Sequence, residues 1–190
     1  MKKVLAVLFV AALVVVFASP SMADLAGFSK KKVFVNVDPD VSVSSGTTGS
    51  SPINLGSIQR GLIHGTVSFR VDANREQVAL QVLATDLYKG DDPFNTDVAP
   101  ILLCVGEPVV IRPSNANPIN SGSNEASAVG PDFIDSWPAT KFESITFESS
   151  QNGHFSQAVD VSVCWNQDQV EKPVGQYSGY VKLSALIGSL

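Results

Sequence analysis

The stretch "GTVSFRVDANREQVALQVLA", residues 65 to 84, constrains the fold more than any other feature of the chain. Val67, Phe69 and Val71 alternate with Thr66, Ser68, Arg70 and Asp72, and Val78, Leu80 and Val82 resume the alternation after the polar "ANREQ". A period of two is the mark of a strand with one buried and one wet face, because successive side chains of a strand point to opposite sides. The two runs with a turn-like join predict an antiparallel hairpin.

The same period recurs along the chain. Val33, Val35 and Val37 alternate with Phe34 and Asn36, and Val41 and Val43 alternate with serines. Ile53, Leu55 and Ile58 form a short run ended by Gly61, and "APILLCVGEPVVIRP" supplies two more, broken at Gly106-Glu107-Pro108. Phe142, Ile145 and Phe147 follow, and then Val159, Val161 and Val163 alternate with Asp160 and Ser162. In the closing run, Tyr177, Gly179, Val181, Leu183, Ala185 and Ile187 share one face, while Ser178, Tyr180, Lys182 and Ser184 share the other, wet one. No segment beyond the N-terminal apolar run has a 3.6-residue period. Short strands with turn residues between them predict an all-β fold, an Ig-like antiparallel β-sandwich of about seven to nine strands.

Two polar stretches interrupt the pattern. Ser44 to Ser51, "SSGTTGSS", reads as an exposed turn or short linker, and residues 113–132, rich in Asn, Pro, Ser and Gly without periodicity, read as a long polar loop. Loops of that length are usually functional or disordered.

The N-terminus carries Met1-Lys2-Lys3, an apolar run from Val4 to Ala18 and then "SPSMA". Charged start, apolar centre and small residues before a cut are the parts of a secretory signal peptide, predicted over residues 1–23 with the mature domain over 24–190. The run is shorter than the roughly 20 apolar residues that span a bilayer, and no later stretch is long enough. Loss of Lys2 and Lys3 takes the formal charge from -5 to -7. An acidic chain without a basic stripe lacks the footprint that nucleic acid or an anionic membrane requires.

Cys104 and Cys164 are the two cysteines of the chain. In an oxidising compartment an even pair reads as one disulfide, closing a loop of about 60 residues and contributing roughly 4 kcal/mol on the chain-entropy model. Each falls on the polar side of its alternation, which places the bridge on the solvent side or at a strand end, unlike the core bridge of antibody domains.

Catalytic patterns are missing: the sequence has no G-x-S-x-G, H-E-x-x-H, P-loop or C-x-x-C. His64 and His154 each adjoin a glycine in an expected turn, and no residue is assigned a catalytic role. Two weaker candidates for binding remain. Asp86, Asp91, Asp92, Asn95 and Asp97 lie close enough in sequence to offer several oxygens to Ca²⁺, although not at EF-hand spacing, and the alternative is a solvated acidic loop. Phe133 and Trp137 are rings at the end of the polar stretch that could stack on a sugar, whereas Trp165, beside Cys164, reads as core.

The closing "GQYSGYVKLSAL", with Gly175, Tyr177, Gly179, Val181 and Leu183 in a Gly-x-Tyr-x-Gly and alternating apolar pattern, comes after a secretion signal and strands with one disulfide. This arrangement resembles the secreted fibre subunits of the chaperone-usher and spore-coat-protein-U type. It departs from the spore-coat-U-like members in lacking a first-strand cysteine and in the trailing Gly188-Ser189-Leu190. The resemblance implies an incomplete sandwich that a neighbouring subunit's N-terminal extension completes by donating a strand, with a periplasmic chaperone as a further partner. Residues 24–32 would be that flexible extension, and Leu25, Phe28, Val33 and Val35 the donor residues. The alternative is that Val33 to Val37 is the first strand of its own domain, with Lys30, Lys31 and Lys32 as edge protection. The functional expectation is a secreted, non-enzymatic structural or adhesive surface protein. Its rival is a monomeric secreted module that binds carbohydrate or Ca²⁺.

Overall fold

A computed structural model describes residues 25–37, 52–106 and 109–186. The expected signal peptide, the Val41 and Val43 alternation, the Ser44–Ser51 linker and the chain after Leu186 lie outside them. The described residues form strands and no helix: β1 (Leu25–Val37), β2 (Ile53–Ser57), β3 (Gly61–Ala73), β4 (Gln77–Thr85), β5 (Tyr88–Lys89), β6 (Leu102–Leu103), β7 (Val109–Pro113), β8 (Ala116–Pro118), β9 (Glu125–Ala126), β10 (Ala128–Ile134), β11 (Trp137–Phe142), β12 (Ile145–Ser149), β13 (Phe155–Gln167) and β14 (Gly175–Leu186).

They build a two-sheet sandwich of a nine-stranded sheet, with the order β10-β11-β4-β14-β1-β2, and a five-stranded sheet, with the order β3-β13-β7-β9. Every pairing is antiparallel except β1 with β2. The core is the set of inward positions that the alternation marks. Val67, Phe69 and Val71 of β3, Val159, Val161 and Val163 of β13, Val78, Leu80 and Val82 of β4, and Tyr177, Val181 and Leu183 of β14 are all buried in one cluster.

Trp165 sits at its centre, fully buried, and its Nε1 donates across the sandwich to the Thr85 carbonyl at 2.9 Å. That bond satisfies the one polar atom of the indole, as burial requires. The ring leaves no room beside it, since a Cβ on Gly65 would lie 2.9 Å from Trp165 and from Leu55.

The expected hairpin between residues 67–71 and 78–82 does not form. β3 belongs to the smaller sheet and pairs with β13, whereas β4 belongs to the larger one and pairs with β14, β11 and β12. The turn between them is a corner from one sheet to the other. Both patterns bury alternate residues, so periodicity cannot tell strands that lie side by side from strands that face each other across the core.

Residues 113–132 are not a loop either. They contain β8, β9 and most of β10, which pair with β12, β7 and β11 respectively. These strands lie at the margins of the sheets and β10 is largely exposed, so they need no buried stripe and left no alternation to read.

The bridge between Cys104 and Cys164 is formed, with Cα atoms 5.4 Å apart. It joins the residue just after β6 to the C-terminal part of β13 in the same sheet, and the Cys104 N–H donates to the Cys164 carbonyl at 3.0 Å. Cys164 does fall on the side opposite Val163 and Trp165. It is nevertheless only 4% exposed. His64, expected in a turn, is an exposed residue of β3 opposite Cys164.

Candidate functional site

The closing strand is not at an edge. β14 runs between β4 and β1, and β1 follows it in antiparallel register from Leu25 opposite Leu186 to Val37 opposite Gly175. On its other side β1 lies parallel to β2, with Val33 opposite Ile53. The segment expected as a free extension is therefore a strand inserted between the last strand and the second strand of its own chain.

The Gly-x-Tyr-x-Gly pattern is explained by the way β14 changes partner. Residues Val181 to Leu186 pair with β4, while Tyr177 and Ser178 pair with β5. Gly179 lies at the changeover, where a Cβ would meet Thr85 Oγ1 at 2.4 Å and the Asp86 carbonyl at 2.6 Å, so no larger residue fits. The Tyr180 N–H next to it donates to Thr85 Oγ1 at 2.9 Å. Tyr177 is fully buried and its hydroxyl donates to the Pro173 carbonyl at 2.9 Å, which anchors the chain just before the strand. Gly175 has φ of +146°, a conformation that L side chains rarely adopt, and Lys89 stands where its Cβ would be.

The inward face of β1 is uneven. Residues directly opposite in an antiparallel pair point to the same side, so Ser29 and Lys31 point inward with their partners Leu183 and Val181, as Val33 and Val35 do with Gly179 and Tyr177. Val33 and Val35 are fully buried members of the core. Ser29 is exposed and Lys31 half-buried. Beside Ser29 a cleft of about 200 Å³ opens to solvent, lined by Phe69, Val71, Val78, Leu183 and Ala185 and also by Phe28, Arg70 and Asp72.

The outer face of β1 is held by charge and rings. Lys30 pairs with Asp135 and also lies 5.6 Å from the Tyr180 ring centre. Lys32 pairs with Asp91, which in turn accepts from the hydroxyl of the fully buried Ser178. Hydrogen bonds from Lys32 and then Ser178 hold the Asp91 carboxyl below the usual carboxylate range. Phe28, 61% exposed, points outward with Lys182 Nζ at 4.4 Å over its ring. Of the four donor residues named above, Val33 and Val35 thus enter the core and Phe28 does not. Leu25 precedes a register shift between Leu25 and Gly27, and its side chain lies outside the described set.

The outer face of β14 is less wet than its alternation predicts. Ser178 and Ser184 are buried. The β10–β11 hairpin and β5 close over this side, forming a small second cluster of Leu83, Ile134, Ala139 and Tyr180. Trp137 belongs here too, packed edge-to-face with Tyr88 and Tyr180 at ring centre distances of 5.6 and 5.0 Å. Its turn partner is Ile134, whereas Phe133 lies opposite Pro138 on the other side of the hairpin and is 60% exposed. The two rings therefore point to opposite sides and make no common platform for a sugar.

The acidic residues are likewise dispersed. Asp86 is drawn inside, where its Oδ1 accepts from the Leu103 N–H at 2.8 Å and burial pushes its carboxyl up. Asp92 and Asn95 turn the chain by accepting from the N–H groups of Phe94 and Asp97 at 3.0 and 2.9 Å. Asp91 faces Lys32. Among the described residues, no group of three or more His, Cys, Asp or Glu side chains is placed to hold a metal ion. His64 and His154 stand at opposite ends of the β3–β13 pairing, roughly 30 Å apart at about 3.3 Å per residue, so they cannot act on one substrate. No helix of the described residues is long and apolar enough to cross a membrane.

No family model matches the chain, and no curated protein does. Among solved structures it is similar to the DraE adhesin in complex with chloramphenicol succinate, with a TM-score of 0.35 and 13% identity over 88% of this chain and 98% of that one. It is similar to the AfaE-3 adhesin from Escherichia coli, with a TM-score of 0.35 and 15% identity over the same shares. The DaaE adhesin has a TM-score of 0.32 and 14% identity, again over 88% of this chain and 98% of the other.

Proposed function

We propose that the protein is a secreted, non-enzymatic structural or adhesive subunit of the cell surface whose copies assemble by exchanging β1. The observation that carries this reading is the place of β1, first in sequence yet inserted between β14 and β2 deep in the larger sheet. If β1 leaves, one long side of β14 loses its hydrogen-bond partners and the core loses Val33 and Val35, so the vacancy must be refilled. The β1 of another copy refills it with the same contacts, which makes exchange nearly neutral in energy.

The connection permits it. Fifteen residues separate Val37 from Ile53, and they are rich in Ser, Gly and Thr. Extended, they reach on the order of 50 Å, enough to carry β1 to a neighbouring molecule. A periplasmic chaperone that occupies the vacant groove before assembly fits the same reading.

The test uses Lys30 and Lys182, which lie directly opposite each other across β1 and β14. Mature Lys30→Cys and Lys182→Cys proteins are mixed, equilibrated and oxidised. Exchange yields a covalent dimer of one copy of each. A mixture that stays monomeric, while the double variant closes its bridge within one chain, overturns the reading.

A further inference from the structure

We propose that two copies of this chain associate side by side through the free edge of β3, with β3 antiparallel to β3 about a two-fold axis at Ser68. The contact lies on the smaller sheet, away from β14, and does not depend on the exchange of β1.

Among the described residues β3 has one strand partner, β13, with which it pairs residue for residue from Gly61 to Ala73 without a bulge. Two bonds on the far side of β13 reveal which backbone groups of β3 are left over. The Ser114 N–H donates to the Ala158 carbonyl at 2.9 Å and the Cys104 N–H to the Cys164 carbonyl at 3.0 Å, so Ala158 and Cys164 turn their backbone groups away from β3. Their partners Arg70 and His64 must then turn theirs away from β13. By the same alternation, the N–H and C=O groups of His64, Thr66, Ser68, Arg70 and Asp72 all line the free edge. Side chains do not cover them. Thr66, Ser68 and Arg70 bond back to Ser162, Asp160 and Ser156 of β13 at 2.9, 2.5 and 2.7 Å.

Sheet edges are ordinarily blunted by short length, bulges, proline or lysine. The other margins among the described residues follow that rule. β10 has Pro131 in its middle and a register shift, and its Phe133 N–H is taken by Asp132 Oδ1 at 2.8 Å. β2 has five residues, with the Gly56 N–H taken by Asn54 Oδ1 at 2.9 Å. β5, β6, β8 and β9 span two or three residues each. β3 is thirteen residues long and has neither proline nor lysine.

The edge is complementary to itself. Pairing about Ser68 sets His64 opposite Asp72 of the second copy and Thr66 opposite its Arg70, so each charged side chain meets an opposite or neutral one. On the inward side it sets Gly65 opposite Val71 and Val67 opposite Phe69, small against large. Moving the axis to Val67 would set His64 against Arg70 and leave Asp72 facing Leu62. The favoured register makes Ser68 its own partner, and the smaller sheet then runs without a break through both copies.

The experiment places single cysteines in the mature protein, whose own two are already bonded to each other. Ser68→Cys sets two thiols directly opposite each other at the roughly 5.5 Å Cα separation of a hydrogen-bonded pair, which a disulfide can span. Mild oxidation should convert this variant to a covalent dimer, read by intact mass. Thr66→Cys and Arg70→Cys should each stay monomeric alone and yield a mixed dimer together. A monomeric Ser68→Cys protein overturns the proposal, and so does equal dimerisation of the three variants alone, which is collision without a register. The second arm adds Ser68→Lys to the Lys30→Cys, Lys182→Cys protein, whose closed bridge keeps β1 in its own chain, so that edge pairing and exchange are read apart. Two lysines then face each other at the axis, and sedimentation velocity should show half-dimerisation at about five-fold higher protein concentration than without Ser68→Lys. Unchanged association overturns the contact. An edge that instead receives an extended segment of another protein would leave this chain monomeric in both arms, which overturns it as well.

Discussion

β1 and β13 are both thirteen-residue strands, both flanked on two sides, and they are built to opposite ends. β13 buries alternate residues from Phe155 to Gln167, carries Trp165 at the centre of the core, and is tied by the disulfide to the end of β6. Among the described side chains of β1, Val33 and Val35 enter the core, while Lys30 on Asp135 and Lys32 on Asp91 hold the strand from outside. Exposed ion pairs of this kind contribute little, with a median of about 0 to 1 kcal/mol. One strand is buried at every second residue, whereas the described side chains of the other reach the core at two positions.

That contrast is broken most directly at β13. Trp165→Ala removes the largest buried side chain and leaves the Thr85 carbonyl without its donor, so a loss of about 4 kcal/mol or more is expected from urea denaturation. If the loss is under about 1 kcal/mol, the indole is not the pin that its burial implies.

Leu183→Asp, on the core face of β14, should cost several kcal/mol by placing an unpaired charge between the sheets. Lys182→Asp on the outer face should cost well under that, mainly through its contact with Phe28. Equal tolerance of the two would refute the facing assigned to the whole strand.

Val33→Ala tests the anchored half of β1, with an expected cost of about 2 kcal/mol for two buried methyl groups. Ser29→Ala, in the loose half, should leave stability unchanged within about 0.5 kcal/mol. The difference vanishes if β1 is seated evenly along its length.

The smallest effect is electrostatic. The Asp91 carboxyl is held below its ordinary value, so its contribution is present above about pH 4 and is lost as pH falls through the lowered value. Asp91→Asn should reduce stability at pH 7 by under about 1 kcal/mol and flatten that acid limb in denaturation curves. A variant whose stability falls with acid as steeply as the parent's would show that Lys32 and Ser178 do not depend on this carboxylate.

Much of this was legible before any coordinates. The alternation at Val67–Val71, Val78–Val82 and Val159–Val163 named the inward residues correctly, because which side of a strand is buried is a local property of its sequence. The cysteine parity was a poorer guide: Cys164 is buried although it lies opposite Val163 and Trp165, and Val105, expected on the inward side opposite Cys104, is exposed. The partner of each strand was not legible. Residues 65 to 84 read as a hairpin and are a corner between sheets, and the Asn- and Pro-rich stretch before Asp132 read as a loop and holds strands that neighbours pair. The candidate site fared likewise: Val33 and Val35 were legible as strand residues, but nothing in their pattern says which groove receives them.

By itself, the sequence determined an all-β chain with most inward faces marked and one disulfide, since side-chain period and residue chemistry are written locally. Only the tertiary structure decided that β1 lies between β14 and β2, and that Gly179 must lack a side chain where Thr85 and Asp86 press on it. Those facts depend on backbone hydrogen bonds between strands far apart in the chain. Every residue except proline carries the same N–H and C=O, so the choice of partner is made by how whole faces pack and not by any one residue.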